Sequence, residues 1–293
     1  MDPIQQACHL DPTKSVALLT MCTGTLLERK KAQKSDLLPD NLKIDLNEQS
    51  LQQKRRLANK LNITFRAARV IPDTFVEEMR NGPFPFLGRK ISDVAPFYKI
   101  NLLRMALSRH CMAVWMDCDT TFGEKAEIRL RDLLSKLAST NKSLSISHEM
   151  EMVEYWRHNM RPIKPLPYFL NTGFFILRRS SWAGSLLHKA KLDRYKNFGF
   201  LGSGLHDQGT LNLALFSDEN WHKQVSVEQM RLSRKSMNAT IHCGGCAATR
   251  DCLVIHVMRK WGYDSKRCSK MRAWNLSFVD IDIMRRDCCT YSG

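Results

Sequence analysis

The sequence predicts an α/β fold with a mostly parallel central sheet. Short apolar runs recur along the chain, and amphipathic helical stretches separate them. The length of 293 residues and a hydrophobic content of 43% are enough to bury one large core. Strands that alternate with helices favour parallel pairing, because each helix returns the chain to the start of the next strand.

The first part of the chain alternates strand, helix and strand. Residues 15–22 form an apolar run that is typical of a buried parallel strand. Residues 47–61 place leucines at helical spacing among glutamine, lysine and arginine, which predicts an amphipathic helix. A second strand is predicted over residues 62–70.

The same alternation continues after a Pro/Gly-rich turn region at residues 81–88. A helix is predicted from Ser92 or Asp93 to about Arg109, followed by a buried strand at 112–116. The remaining predicted helices are 127–138, 181–192 and 207–216, and the remaining predicted strands are 143–147, 173–178 and 252–257.

The net charge is strongly positive. Lys and Arg number 45 against 29 Asp and Glu, a formal charge of +16. This excess favours anionic partners such as nucleic acid, an acidic membrane surface or phosphate-bearing substrates. No helix-turn-helix, zinc-finger or RNA-binding signature accompanies the charge, which argues against specific nucleic-acid recognition.

The apolar runs near the start of the sequence are short. The longest is Val16–Leu19, far below the roughly 20 residues that a membrane helix needs. A basic segment followed by an apolar stretch, as in a signal peptide, is not visible. We therefore expect a cytoplasmic protein, unless the sequence omits a targeting segment.

The ten cysteines leave three interpretations open. Four are scattered, at positions 8, 22, 111 and 118, and six occupy the last third of the chain, at positions 243, 246, 252, 268, 288 and 289. The C-terminal cluster is consistent with disulfides in an oxidising compartment or with free thiols. Zinc binding by the Cys243-x-x-Cys246 pair is the third reading.

Two carboxylates form the sharpest chemical signal. Asp117 and Asp119 follow directly on the apolar run 112–116, in the acid motif Asp117-Cys118-Asp119. The carboxyl ends of strands in open α/β sheets are where ligands bind, and carboxylate oxygens suit Mn²⁺ or Mg²⁺. The alternative is that both are ordinary loop carboxylates that cap the next helix.

Further motifs occur in a fixed order along the chain. They are Asn59-Lys60 with the following strand, residues 98–107, residues 115–122, residues 169–182, Asp207-Gln208-Gly-Thr-Leu and Val254-Ile-His256-Val. Over residues 15–262 the chain resembles the galactosyl/mannosyl-transferase family, which includes fungal Golgi α-galactosyl- and mannosyltransferases and plant xyloglucan xylosyltransferases. Cys118, at the centre of the acid motif, departs from the pattern of that family.

The resemblance implies a GT-A (Rossmann-like) nucleotide-diphospho-sugar transferase fold. A catalytic domain would span residues 1–262, and residues 263–293 would form a Cys-rich basic extension packed on it. Asp119 and His256 would bind Mn²⁺ or Mg²⁺, with the imidazole favouring Mn²⁺, and Asp117 would contact either this cation or the ribose of the donor. The alternative for His256 is a histidine of the core.

The resemblance also implies which residues contact the nucleotide-sugar donor. They are Thr23, Gly24, Lys99, Arg104, Asp117, Gly173, Arg259 and Lys260. Thr23 and Gly24 would meet the nucleotide or form a turn, and Arg259 and Lys260 would meet the diphosphate or form a solvated basic loop. Lys99 and Arg104 lie five residues apart and do not share one helix face well, so we expect only one of them to reach the donor phosphates.

Three residues are implied to act at the reacting carbon of the sugar. Asn171 would border the sugar, and Asp207 and Gln208 would lie beside its anomeric carbon. Capping of the helix that they begin is the alternative for Asp207 and Gln208. The family resembles retaining enzymes, which use either a front-face mechanism or a double displacement with Asp207 as nucleophile.

The predicted function follows from this resemblance. We expect a metal-dependent retaining transferase that moves a hexose or pentose from a nucleotide-diphosphate sugar, with a UDP-sugar favoured, to a glycan or glycoconjugate acceptor. The family implies the Golgi lumen, and the basic surface suggests peripheral contact with an acidic membrane. A non-catalytic binding protein of GT-A fold and a basic nucleic-acid-binding protein are the alternatives.

Overall fold

The computed structural model defines most of the first 256 residues. It describes residues 8, 11–22, 46–81, 95–118, 120–148, 170–193, 206–231, 241–244 and 251–256. Within these ranges, strands and helices alternate as the sequence predicts. The predicted extension at residues 263–293 lies outside the described residues.

Nine strands and seven α-helices make up the described part of the chain. The strands are β1 (Val16–Met21), β2 (Thr64–Ala68), β3 (Met112–Met116), β4 (Thr120–Phe122), β5 (Leu144–His148), β6 (Leu170–Arg178), β7 (Val225–Arg231), β8 (His242–Gly244) and β9 (Val254–His256). The helices are α1 (Leu46–Leu61), α2 (Asp73–Arg80), α3 (Tyr98–Leu107), α4 (Ala126–Ala138), α5 (Ser181–Asp193), α6 (His206–Phe216) and α7 (Trp221–Gln224).

The described strands form one mixed sheet in the order β2-β1-β3-β6-β5-β7-β8-β9-β4. Five of the eight strand pairings are parallel, which confirms the predicted mostly parallel sheet. Strand β6 runs antiparallel to both of its neighbours, β3 and β5. The first residues of β6 therefore lie at the same edge of the sheet as the last residues of β3.

Helices cover both faces of the sheet. Strand β1 shows why, since Val16 and Leu18 point into one hydrophobic cluster and Ala17 and Leu19 into the other. Helices α1 and α4 pack on the first face, and α3, α5 and α6 pack on the second. A strand buried on both faces needs an uninterrupted apolar run, which is how β1 and β3 read in the sequence.

Most predicted boundaries are confirmed within one to three residues. The helix predicted from position 92 or 93 begins later, at Tyr98, after a 3₁₀ turn at Ala95–Phe97. The strand predicted from position 173 begins earlier, at Leu170, because its first residues pair with the end of β5. Ser92 and Asp93 lie outside the described residues.

Several elements were not predicted from the sequence. Helix α2 buries Phe75, Val76 and Met79 against Phe97 in a small satellite cluster. Strand β7 pairs in parallel with β5, and β4 pairs antiparallel with β9. The strands β4 and β8 have only three residues each, too few to show a strand period in the sequence.

Three disulfides connect cysteines of the described part. They are Cys8–Cys111, Cys22–Cys118 and Cys243–Cys252. The four cysteines that seem scattered in the sequence therefore form two pairs. The zinc reading of Cys243-x-x-Cys246 is wrong, because a sulfur in a disulfide is not available as a thiolate ligand.

None of the described helices combines the length and the apolar character that crossing a bilayer requires.

Candidate active site

Four segments meet where β3 ends. Asp117 follows the last residue of β3, and β6 begins beside it because the two strands are antiparallel. Helix α3 places Lys99 in its first turn, and helix α6 places Asp207 in its first turn. The fold therefore gathers charged residues from distant parts of the sequence at one edge of the sheet.

Lys99 is the centre of this cluster. Its side chain is only 3% exposed, and its Nζ lies 3.1 Å from Asp117 Oδ1 and 2.5 Å from Asp207 Oδ2. The same Nζ donates a hydrogen bond to the Thr172 carbonyl at 3.0 Å. It also lies 4.9 Å from the centre of the Trp115 ring, a favourable position for a cation.

The electrostatics of Lys99 favour its charged form. Burial lowers the pKa of Lys99, but the attraction to Asp117 and Asp207 and the hydrogen bonds to both outweigh it, so the pKa is raised. The ammonium therefore remains protonated at neutral pH. A fixed positive charge between two carboxylates holds both of them in place.

Asp117 is oriented by its neighbours and remains accessible. Its backbone N–H donates to the Gly173 carbonyl at 2.8 Å, and the Trp115 Nε1–H donates to its Oδ1 at 2.6 Å. The Asp117 side chain is 31% exposed, compared with 12% for Asp207. Of the two carboxylates, Asp117 is thus the one better placed to meet a ligand.

The start of β6 is locked to helix α6 by side-chain amides. Asn212 donates to the Leu170 carbonyl at 2.9 Å and accepts from the Leu170 N–H at 2.9 Å. Gln208 Oε1 accepts from the Thr172 N–H at 3.3 Å. These contacts fix Asp207 and Gln208 beside the end of β3. The role of Asn212 was not predicted from the sequence.

Asn171 and Gly173 are parts of the same strand end. Asn171 is buried, and its Oδ1 accepts a hydrogen bond from the Gly173 N–H at 2.7 Å. The structure thus places Asn171 and Gly173 next to the Lys99 cluster. Arg104, in the last turn of α3, is exposed, and no contact joins it to this cluster within the described residues.

The predicted metal ligands are described in part. His256 lies directly opposite Thr120 in the antiparallel pair of β4 and β9. Opposed residues in such a pair have Cα atoms about 4.5–5.5 Å apart, so the His256 backbone lies next to the acid motif. Asp119 and the His256 side chain lie outside the described part. Among the described residues, no group of three or more potential metal-binding side chains occurs.

Four further predicted residues cannot be placed. Thr23, Gly24, Arg259 and Lys260 lie outside the described residues. Their predicted contacts with the donor stay predictions.

Sequence reasoning missed the residues behind the acid motif. Ser50 of α1 donates to the Cys118 carbonyl of the motif, and Lys54 donates to the carbonyl of Thr120, the residue after it. Cys22 is bonded to Cys118, the central residue of the motif. One signal was available for the disulfide. Cys22 ends the predicted strand 15–22, Cys118 follows the predicted strand 112–116, and the carboxyl ends of parallel strands meet at one sheet edge.

The described residues form a mixed sheet between two helical layers, with Asp117 directly after the strand β3. Structural comparison identifies this architecture as the GT-A fold of glycosyltransferases. A glycosyltransferase involved in the glycosylation of the major capsid of PBCV-1 has a TM-score of 0.50 and 11% identity, with 88% of this chain and 97% of that chain covered.

Two other solved structures are similar at a lower level. Mouse xyloside xylosyltransferase 1 in its apo form has a TM-score of 0.44 and 16% identity, over 84% of this chain and 98% of that one. The galactosyltransferase LgtC with donor and acceptor sugar analogs has a TM-score of 0.44 and 12% identity, over 94% and 97%. No family model and no curated protein sequence matches the chain.

Proposed function

We propose that this protein is a metal-dependent retaining glycosyltransferase. It would transfer a hexose or pentose from a nucleotide-diphosphate sugar, with a UDP-sugar favoured, to a glycan or glycoconjugate acceptor. Membership of the galactosyl/mannosyl-transferase family, inferred from the ordered motifs, is part of this proposal.

The pairing of β4 with β9 is the observation that carries the proposal. It sets His256 opposite Thr120, the residue that follows the acid motif. These two segments are far apart in the sequence, and only the fold brings them together. Two carboxylates and an imidazole form a donor set that suits Mn²⁺ or Mg²⁺, with Mn²⁺ favoured by the nitrogen ligand.

Asp117, Asp119 and His256 would hold this cation. When bound, the cation would neutralise the charge of the departing nucleotide diphosphate. Asp117 is suited to a ligand role because its side chain is partly exposed and its orientation is fixed by Trp115. Its backbone is fixed as well, through the hydrogen bond to Gly173.

The contacts of Lys99 support a role other than the predicted donor contact. Its ammonium already meets Asp117, Asp207 and the Thr172 carbonyl, and it is almost completely buried. A buried cation that is held by oxygen atoms of three residues is better suited to orienting the carboxylates than to binding a substrate phosphate. We therefore assign Lys99 as a positioning residue.

The surroundings of Asp207 favour the front-face mechanism. Its Oδ2 lies 2.5 Å from the Lys99 ammonium and 3.3 Å from the Thr172 hydroxyl. A buried carboxylate held by a cation is a poor nucleophile, because attack would require it to give up that pairing. Gln208, which is partly exposed, is then the candidate for electrostatic support of the reacting carbon.

The three described disulfides favour an oxidising compartment for this activity. This agrees with the Golgi lumen expected from the family resemblance. Contact with an acidic membrane rests on the charge of +16 alone.

Donor turnover tests the proposal directly. The full chain is incubated with a panel of UDP- and GDP-sugars and Mn²⁺, and release of the nucleotide diphosphate is measured. We expect hydrolysis of at least one UDP-sugar, a loss of about 100-fold or more on chelation, and recovery with added Mn²⁺. Asp117→Asn should show the same loss without chelation.

Two results would contradict the proposal. Turnover that is unchanged by chelation would contradict the proposed metal dependence. Absence of turnover and of UDP binding, together with DNA binding that weakens steeply with salt, would favour the nucleic-acid alternative.

A further inference from the structure

Helix α1 contacts the main chain of the acid motif and of the residue that follows it. The Lys54 side chain is fully buried, and its Nζ donates to the Thr120 carbonyl at 2.8 Å and to the Ser50 hydroxyl at 2.6 Å. The Ser50 hydroxyl in turn donates to the Cys118 carbonyl at 2.5 Å. Helix α1 thus binds the main chain on both sides of position 119.

These hydrogen bonds are of the strong kind. An ammonium that donates to a carbonyl makes a charge-assisted bond, and burial strengthens it because water does not compete. Lys54 also lies 5.9 Å from the centre of the Phe122 ring. Three neighbouring positions, 118, 120 and 122, are therefore tied to one buried cation or to its hydroxyl partner.

A disulfide bond also holds the same motif. Cys22 follows β1 and is bonded to Cys118, the central residue of the motif. Cys22 is itself buried, and its N–H donates to the Ala68 carbonyl of β2 at 2.9 Å. The motif is thus anchored to the sheet through two neighbouring strands.

We propose that Ser50, Lys54 and the Cys22–Cys118 disulfide form a clamp that positions the acid motif for metal binding. This inference rests on the proposed function and adds its positioning residues. A metal site needs its carboxylates fixed before the metal arrives, and the residues that fix them lie outside the ligand set. The clamp consists of such residues.

The chain contains a matched control for the disulfide. Cys8–Cys111 lies at the opposite end of β3 and closes a stretch of 103 residues, against 96 for Cys22–Cys118. The variants C22S/C118S and C8S/C111S therefore remove equivalent cross-links from the two ends of one strand. Only the first pair touches the acid motif.

The test measures Mn²⁺ binding without donor, by the loss of the free Mn²⁺ signal in electron paramagnetic resonance, alongside kcat and KM for the UDP-sugar. We expect C22S/C118S and Lys54→Met to weaken Mn²⁺ binding by about 10- to 100-fold. C8S/C111S should stay within about twofold of wild type. Ser50→Ala is the milder variant, for use if Lys54→Met does not fold, and should fall between them.

The outcomes separate the clamp from the proposed function. Equal Mn²⁺ affinities in C22S/C118S and wild type, or equal losses in both cysteine variants, would overturn the clamp. A wild-type protein that binds Mn²⁺ but turns over no donor would overturn the proposed function alone. A wild-type protein that binds no Mn²⁺ would overturn both.

Discussion

The two ends of strand β3 carry the same covalent feature and different chemistry. Each end is joined to another segment by a disulfide, Cys8–Cys111 at the amino end and Cys22–Cys118 at the carboxyl end. At the amino end, the described contacts of Cys111 are backbone hydrogen bonds to Ser15 and Arg179. At the carboxyl end, two buried lysines, Lys54 and Lys99, meet carbonyls and carboxylates.

This difference concerns where the fold places its buried charged side chains. A backbone hydrogen bond between strands contributes about 1 kcal/mol and fixes the sheet. A buried ammonium stabilises little on balance, because its desolvation offsets its attraction to carboxylates. Lys54 and Lys99 at the carboxyl end are buried, whereas Arg178 and Arg179 at the amino end are only partly buried. The two buried lysines are therefore better explained by function than by stability.

The largest effect is expected from Lys99→Met at the carboxyl end. The substitution leaves Asp117 and Asp207 without their shared cation, and breaking a buried pair costs about 3–5 kcal/mol. Donor turnover should fall by about 10²–10³-fold, because the carboxylates lose their orientation. Urea unfolding and nucleotide-diphosphate release measure the two effects.

A second substitution sharpens this result. Lys99→Met combined with Asp207→Asn removes the charge of one of the two carboxylates that lose this cation, and it should recover part of the unfolding free energy, but not the turnover. If Lys99→Met alone keeps wild-type turnover, then Lys99 does not position the site.

An intermediate effect is expected from the cysteine variants on stability. Each disulfide closes a loop of about 100 residues, for which loop entropy gives up to about 4.7 kcal/mol, so typical losses are about 2–5 kcal/mol. C8S/C111S and C22S/C118S should lower the unfolding free energy by equal amounts, within about 0.5 kcal/mol, while only the latter weakens Mn²⁺ binding. Denaturant unfolding checks the equality, and a much larger loss at one end would mean that packing, not loop closure, dominates there.

The smallest effect is expected from His110 at the amino end. Burial lowers its pKa from the usual 6.5, and the neighbouring Arg66 and Arg109 lower it further. The unfolded chain therefore binds the proton more readily, so the contribution of neutral His110 to stability is complete above about pH 6.5 and is lost as the pH falls through the native pKa.

His110→Gln removes this titration. The variant should lose less stability than wild type between about pH 7.5 and pH 5.5, with turnover at pH 7.5 unchanged. His148, whose pKa burial also lowers, should leave a residual pH dependence in the variant. Unfolding curves of both proteins at the two pH values measure this difference. Equal losses of unfolding free energy in both proteins would exclude His110 as a source of the pH dependence.

Much of the fold was predictable because its pattern is local. The runs that form β1 and β3 are continuous and apolar. The predicted ends of helices α4, α5 and α6 agree with the observed ends to within about one residue. The three-residue strands β4 and β8 were not predicted, since their pairing depends on partners far along the chain. The register that sets His256 opposite Thr120 is of this kind.

Periodicity and apolar runs are properties of neighbouring residues, and they predicted most of the longer strands and helices and the placement of Asp117 at the end of a buried strand. The folded structure was needed to show that Lys99 joins Asp117 to Asp207, that Cys22 binds Cys118, and that Lys54 is buried next to the acid motif. A lysine in an amphipathic helix looks solvent-exposed in the sequence. Whether it is a surface charge or a buried cation depends on the oxygen atoms that the fold brings to its ammonium, and no local pattern encodes them.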